Sequence, residues 1–135
     1  MKIKRINHVG FVVKDIEKTI SFYKDAFGAT STPVMRNEDM GVKVALVNLG
    51  GGQAELFSPV EQPPAGSRGD IYQEFINSKG EGITHLALEV DDVEAALQEL
   101  KQKGITPIDK VPRPSLFTTV GKIAYVNHEV ELCQS

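Results

Sequence analysis

Three things are scarce in this sequence, and each scarcity closes off a class of protein. Cysteine occurs once, at Cys133, so no internal disulfide can form and a reducing cytoplasm is the expected setting. Cys133 itself reads as a small apolar strand residue rather than a nucleophile. Positive charge is not in excess. Fifteen Lys and Arg against 18 Asp and Glu leave a formal charge of −3, without the basic footprint that nucleic-acid binding needs. Long apolar runs are also missing. No stretch approaches the roughly 18–20 residues that cross a bilayer, and Met1-Lys2-Ile3-Lys4-Arg5 lacks the apolar segment of a signal peptide, so no membrane partner is expected. The composition that remains is globular, with 41% hydrophobic and 24% charged residues over 135 positions, enough chain for one domain with a core.

What the sequence does contain is a repeat. Ile6-Asn7-His8-Val9-Gly10-Phe11-Val12-Val13-Lys14-Asp15-Ile16-Glu17 matches Ile83-Thr84-His85-Leu86-Ala87-Leu88-Glu89-Val90-Asp91-Asp92-Val93-Glu94 at an offset of 77. A second pair, Ala54-Glu55-Leu56-Phe57 and Val130-Glu131-Leu132-Cys133, follows at an offset of 76. One His and one Glu therefore recur in each copy.

The pattern of elements repeats with them. A strand over 3–13 leads to an N-cap at Asp15 and a helix carrying Ile16, Ile20, Tyr23 and Phe27, which Gly28 stops. Strands are expected at 30–36, 42–49 and 53–58, with a turn at 37–41 and a tight hairpin at Gly50-Gly51-Gly52. The first module, about 1–60, is thus β-α-β-β-β. A linker and short helix occupy about 61–80, the helix opening at a capping pattern, Asp70-Ile71-Tyr72-Gln73. The second module, about 81–135, has a strand over 83–90, a helix from Asp91 or Asp92 closed by Gly104, and strands near 105–109, 121–126 and 129–134. Residues 110–119 hold two prolines, which predicts a loop able to fold over a pocket, with Leu116 and Phe117 at its tip. The fold class expected is α+β, two β-α-β-β-β modules forming a cupped mixed sheet within one domain.

Strand alternation puts Val9, Phe11 and Val13 on one face of the first strand and His8 and Gly10 on the other. In the second copy Leu86, Leu88 and Val90 oppose His85 and Ala87. Each His thus has a small neighbour on its own face, leaving room for an ion and a ligand. Glu55 and Glu131 sit among apolar residues, where a carboxylate is costly unless paired or metal-bound. A single His in a strand is usually a structural hydrogen-bonding residue, and a single strand Glu usually faces solvent. Two of each at equivalent positions instead suggest one site. Two neutral imidazoles and two carboxylates suit a first-row divalent ion better than Ca or Mg, which prefer oxygen shells. Lys43, Lys122 and His128 read as exposed residues.

These residues carry a resemblance. Asn7-His8-Val9-Gly10 through Phe22-Tyr23, Gly41 to Ala45, Ala54 to Pro59, Gly80 to His85 and Pro112-Arg113-Pro114 are similar to the vicinal oxygen chelate (glyoxalase/bleomycin resistance/dioxygenase) superfamily, and within it most to methylmalonyl-CoA epimerases. The resemblance implies a divalent metal (Co, Mn, Ni or Zn) on His8, Glu55, His85 and Glu131. It also implies removal of a proton α to a thioester carbonyl, an acyl-CoA substrate and a homodimer. Such epimerases can carry a glutamate base in the third strand; Val44 stands there, so Glu131 or Glu55 is the candidate catalytic base. The chain also departs at Thr84, where a second His is common, in the lid at Ser115 to Thr119, and in the short turn at Asn127-His128. Two alternatives follow from the same superfamily: a lactoylglutathione lyase acting on a glutathione hemithioacetal, and a non-catalytic binding protein of the antibiotic-resistance type. Retention of all four ligand positions argues against the second, and a fourth ligand at Glu55 disfavours ring-cleaving dioxygenases.

Overall fold

The computed structural model describes all 135 residues. Its elements are β1 (Ile3–Val12), α1 (Ile16–Phe27), β2 (Met35–Asn37), β3 (Val42–Asn48), β4 (Gln53–Pro59), α2 (Arg68–Lys79), β5 (Gly82–Val90), α3 (Val93–Gln102), β6 (Arg113–Pro114), β7 (Lys122–Tyr125) and β8 (Val130–Gln134). This is a mixed α+β fold of eight strands and three helices. It divides into two compact units, residues 10–84 and residues 1–9 with 85–135, so β1 contributes to both.

In the unit of residues 10–84 the strand order is β2-β3-β4-β1, with β2/β3 and β3/β4 antiparallel. Asp15 caps α1 by accepting from the Lys18 amide at 3.0 Å, and Gly28 ends it in the left-handed region at φ 66°, where a Cβ would be strained. The helix buries Ile16 against Ala45, Val47, Ala54 and Leu56, with Val13, Phe11, Ile20 and Tyr23 completing the layer. α2 begins at Arg68, earlier than the expected cap at Asp70. Ser67 lies three residues before Asp70, so the two cap reciprocally: Ser67 Oγ accepts the Asp70 amide and Asp70 Oδ2 accepts the Gly66 amide at 2.8 Å. Gly69 donates its amide to the Met40 carbonyl at 2.8 Å, and a Cβ there would lie 1.9 Å from the Gly41 carbonyl oxygen.

The expected strand over 30–36 is broken. Ser31 bridges to Val47 and Met35 pairs with Val44, so one strand spends a residue more than its neighbour between the two contacts. Pro33 lies in that gap and has no amide to donate, which explains the break.

In the unit of residues 1–9 and 85–135 the order is β1-β5-β8-β7-β6, with β5/β8 parallel and β7/β8 antiparallel. Asp92 rather than Asp91 caps α3, accepting from the Ala95 amide at 3.0 Å. The helix packs Val93, Ala96 and Leu97 onto Val90, Ala124 and Leu132. No strand forms at 105–109. Pro107 interrupts it, and only Ile108 and Asp109 donate to the end of β7, at 3.1 and 3.0 Å. Within the expected loop, Arg113–Pro114 pairs with Lys122–Ile123 as the edge strand β6, the position a proline tolerates. At the tip Phe117 is buried and Leu116 exposed.

Candidate metal centre

On β5, Leu88 and Val90 pack into the α3 layer, so alternation turns His85, Ala87 and Glu89 to the other face. On β8, Leu132 joins the same layer and Glu131 turns away from it. The register sets Glu131 beside Ala87 of β5 and Tyr125 of β7. Ala87 is small, which leaves space in front of Glu131. His8 of β1, His85 and Glu131 are each about 98% buried or more.

These three converge. His8 Nε2 lies 3.3 Å from His85 Nε2 and 3.3 Å from Glu131 Oε1, and the two imidazoles meet edge to face at 88°. Glu131 Oε1 is fully buried and accepts no hydrogen bond. A buried carboxylate oxygen with no donor costs free energy that a bound cation would recover. Two imidazole nitrogens and that oxygen are a donor set that fits a divalent metal.

The surroundings hold these side chains in place. Asn7 Oδ1 lies 2.8 Å from His8 Nδ1, and Asn7 Nδ2 donates to Glu89 Oε1 at 2.9 Å. Arg5 Nη2 reaches the same Glu89 oxygen at 3.3 Å, and Lys4 Nζ is 3.8 Å from the other. Burial pushes the Glu89 carboxyl upward, but the hydrogen bonds from Asn7 and Arg5, with the charges of Arg5 and Lys4, outweigh it and hold Glu89 below the usual carboxylate range. His85 packs edge-on against the Tyr125 ring, 5.6 Å between centroids, and the Arg113 guanidinium lies 5.7 Å from that ring.

Glu55 belongs to the other unit. It lies on β4 opposite Leu46, 6% exposed, between Ala54 and Leu56, which pack under α1. Phe57, two residues on, stacks against Tyr72 of α2 at 5.2 Å. Burial raises the Tyr72 hydroxyl above its ordinary value despite the nearby Arg68 guanidinium. Val44 is fully buried on β3 opposite Phe57 and brings no ionisable group.

Lys43 and Lys122 pair with Glu17 and Glu94 at 3.4 and 3.3 Å, and His128 is exposed. Cys133 is buried and forms no disulfide. Asn7, Glu89 and Tyr125 are the residues that the repeat did not point to. A signal for one of them existed: Glu89 is a charged residue between Leu88 and Val90 in an otherwise apolar strand.

Comparison with known proteins adds to this geometry. Residues 7–125 match the Glyoxalase/Bleomycin resistance protein/Dioxygenase superfamily. The chain is 39% identical over 104 residues to the mitochondrial methylmalonyl-CoA epimerase of Mus musculus, a match that covers 77% of this chain and 56% of that protein. It thus spans little more than half the length of that relative. A methylmalonyl-CoA epimerase structure from Mycobacterium tuberculosis superposes with a TM-score of 0.77 at 23% identity over 98% of this chain and 88% of that one, a likeness of fold. A Streptomyces coelicolor methylmalonyl-CoA epimerase variant in complex with 2-nitronate-propionyl-CoA gives 0.73 at 25% identity, covering 99% and 96%.

Proposed function

The chain belongs to the glyoxalase/bleomycin resistance protein/dioxygenase superfamily, and on that footing we propose that it is a divalent-metal-dependent epimerase of methylmalonyl-CoA. The observation that carries the metal centre is the buried, hydrogen-bond-free Glu131 Oε1 set 3.3 Å from His8 Nε2. Similarity to epimerases supports the substrate, and it favours an isomerase over the lyase acting on a glutathione hemithioacetal.

The proposed ligands are His8, Glu55, His85 and Glu131. Glu55 enters the set as the repeat counterpart of Glu131, and it is itself a buried carboxylate. Two neutral imidazoles and two carboxylates balance a divalent charge, which points to Co, Mn, Ni or Zn. The ion would polarise the thioester carbonyl as a Lewis acid and so acidify the neighbouring C–H. The protein's own part is proton transfer. Val44 cannot act as a base, so Glu131 or Glu55, released from the ion, would take the α-proton, and a second acid on the opposite face would return one to complete the inversion. Near-complete burial of both imidazoles keeps competing water from their ring nitrogens. A homodimer is part of the proposal and is read out by light scattering.

The test is chelation, reloading with Co, Mn, Ni or Zn, and measurement of metal content beside epimerisation of methylmalonyl-CoA. We expect one ion per chain, turnover only in the loaded protein, and loss of both in His85→Ala. Metal without turnover would overturn the substrate, and absence of metal would overturn the centre.

A further inference from the structure

We infer that Asn7 and Glu89 are positioning residues that lock one tautomer of His8, with the proton on Nδ1 and the Nε2 lone pair turned toward His85 and Glu131. The inference rests on the metal centre proposed above, and it follows from a chain of hydrogen bonds with only one consistent direction. Glu89 is 5% exposed and held by Arg5 and Lys4, so its carboxylate is charged and can only accept. Asn7, 2% exposed, must therefore turn its amide nitrogen toward Glu89, 2.9 Å away. That orientation leaves Asn7 Oδ1, an acceptor only, facing His8 Nδ1 at 2.8 Å. His8 Nδ1 must then carry the proton. In a neutral imidazole the other nitrogen, Nε2, is left with its lone pair, and it is Nε2 that points at Glu131 and His85.

The same relay does two further things. Anchoring Nδ1 fixes the rotation of the ring, and a charged carboxylate at the far end of the chain raises the basicity of Nε2. Asn7 and Glu89 have no chemical counterparts at the equivalent positions of the repeat. The repeat places Thr84 where Asn7 stands and Val12 where Glu89 stands, and the Thr84 hydroxyl is engaged with Tyr72. The two imidazoles of a symmetric-looking site are therefore held by different means: His8 by a buried polar relay, His85 against the Tyr125 ring.

The tautomer is read directly, with or without metal, from the ring-nitrogen chemical shifts of imidazole-labelled protein. In the metal-free wild type we expect His8 as the Nδ1–H form. Asn7→Leu, close in size but without the acceptor, is expected to turn His8 to a mixture or to the Nε2–H form and to weaken Co(II) binding about 10–100-fold. Glu89→Gln can still accept from the Asn7 amide, so it is expected to keep the tautomer while losing part of the affinity. It also serves if Asn7→Leu fails to fold. An Nε2–H form in the wild type would overturn the relay, as would an unchanged tautomer and affinity in Asn7→Leu. If the wild type binds no Co(II) but shows the Nδ1–H form that Asn7→Leu abolishes, the metal centre falls and the hydrogen-bond relay stands.

Discussion

Glu131 carries the sharpest conflict between stability and function in the molecule. Its Oε1 is buried, accepts no hydrogen bond and lies 3.3 Å from His8 Nε2. Replacing it with Gln removes a buried charge and supplies an amide that can donate to that imidazole nitrogen. Glu131→Gln is therefore expected to raise the melting temperature of metal-free protein by on the order of a few degrees while lowering metal affinity at least tenfold. Differential scanning calorimetry after chelation checks the first effect and metal titration the second; a lower melting temperature would show that the carboxylate is already satisfied. At this scale the sequence was informative wherever chemistry is duplicated. His8 and His85 stand out as a pair at an offset of 77, and Glu55 and Glu131 as a pair at an offset of 76. Asn7 and Glu89 do not, because their counterparts are Thr84 and Val12, and a search for symmetry passes over a device present on one side only.

Elements were legible where local rules act alone. The cap at Asp15 and the stop at Gly28 follow from short-range hydrogen bonding and backbone conformation and stand where the sequence placed them, while of the two candidates Asp91 and Asp92 the structure selects Asp92. The strands expected at 30–36 and 105–109 fail because Pro33 and Pro107 remove amides that pairing would need, which outweighs the apolar pattern around them. The start of α2 shows another limit. Ser67 and Gly69 look like linker residues, yet one caps the helix and the other brings its first turn against the Gly41 carbonyl. Gly69→Ala is expected to destabilise the protein by about 3 kcal/mol, since the new methyl collides with backbone rather than with a side chain that can move. Gly82→Ala is the control: its Cβ would meet the Phe75 ring at an ordinary 3.6 Å, and we expect a change within about 1 kcal/mol. Equal effects in denaturant unfolding would remove the close-approach argument.

For the whole molecule, carboxylates held below their ordinary range set the acid limb of stability. Glu89, Glu61 and Glu99 are all lowered. In Glu99 the cause is a hydrogen bond from the N-terminal amine, and in Glu61 one from Arg36. Glu61 is exposed and Glu99 partly so, and solvent screens both, so the buried Glu89 dominates. A depressed pKa means stability that is present above the unfolded value near ~4.3 and is lost as pH falls through the folded one. The wild type is thus expected to lose stability steeply below about pH 4.5, whereas Glu89→Gln is less stable at neutral pH with a shallower acid limb. Parallel limbs in the two proteins would refute this. The sequence alone determined the α+β class, the duplicated β-α-β-β-β pattern and the four candidate ligands, because periodicity, capping and duplication are local properties of a chain. Only the tertiary structure decided that residues 1–9 cluster with 85–135 rather than with their sequence neighbours. It alone brought His85 Nε2 and Glu131 Oε1 each to 3.3 Å from His8 Nε2, left one carboxylate oxygen without a donor, and tied Asn7 to Glu89. The reason is physical: convergence of residues far apart in sequence and the satisfaction of buried polar atoms depend on strand register and burial, which no local pattern encodes.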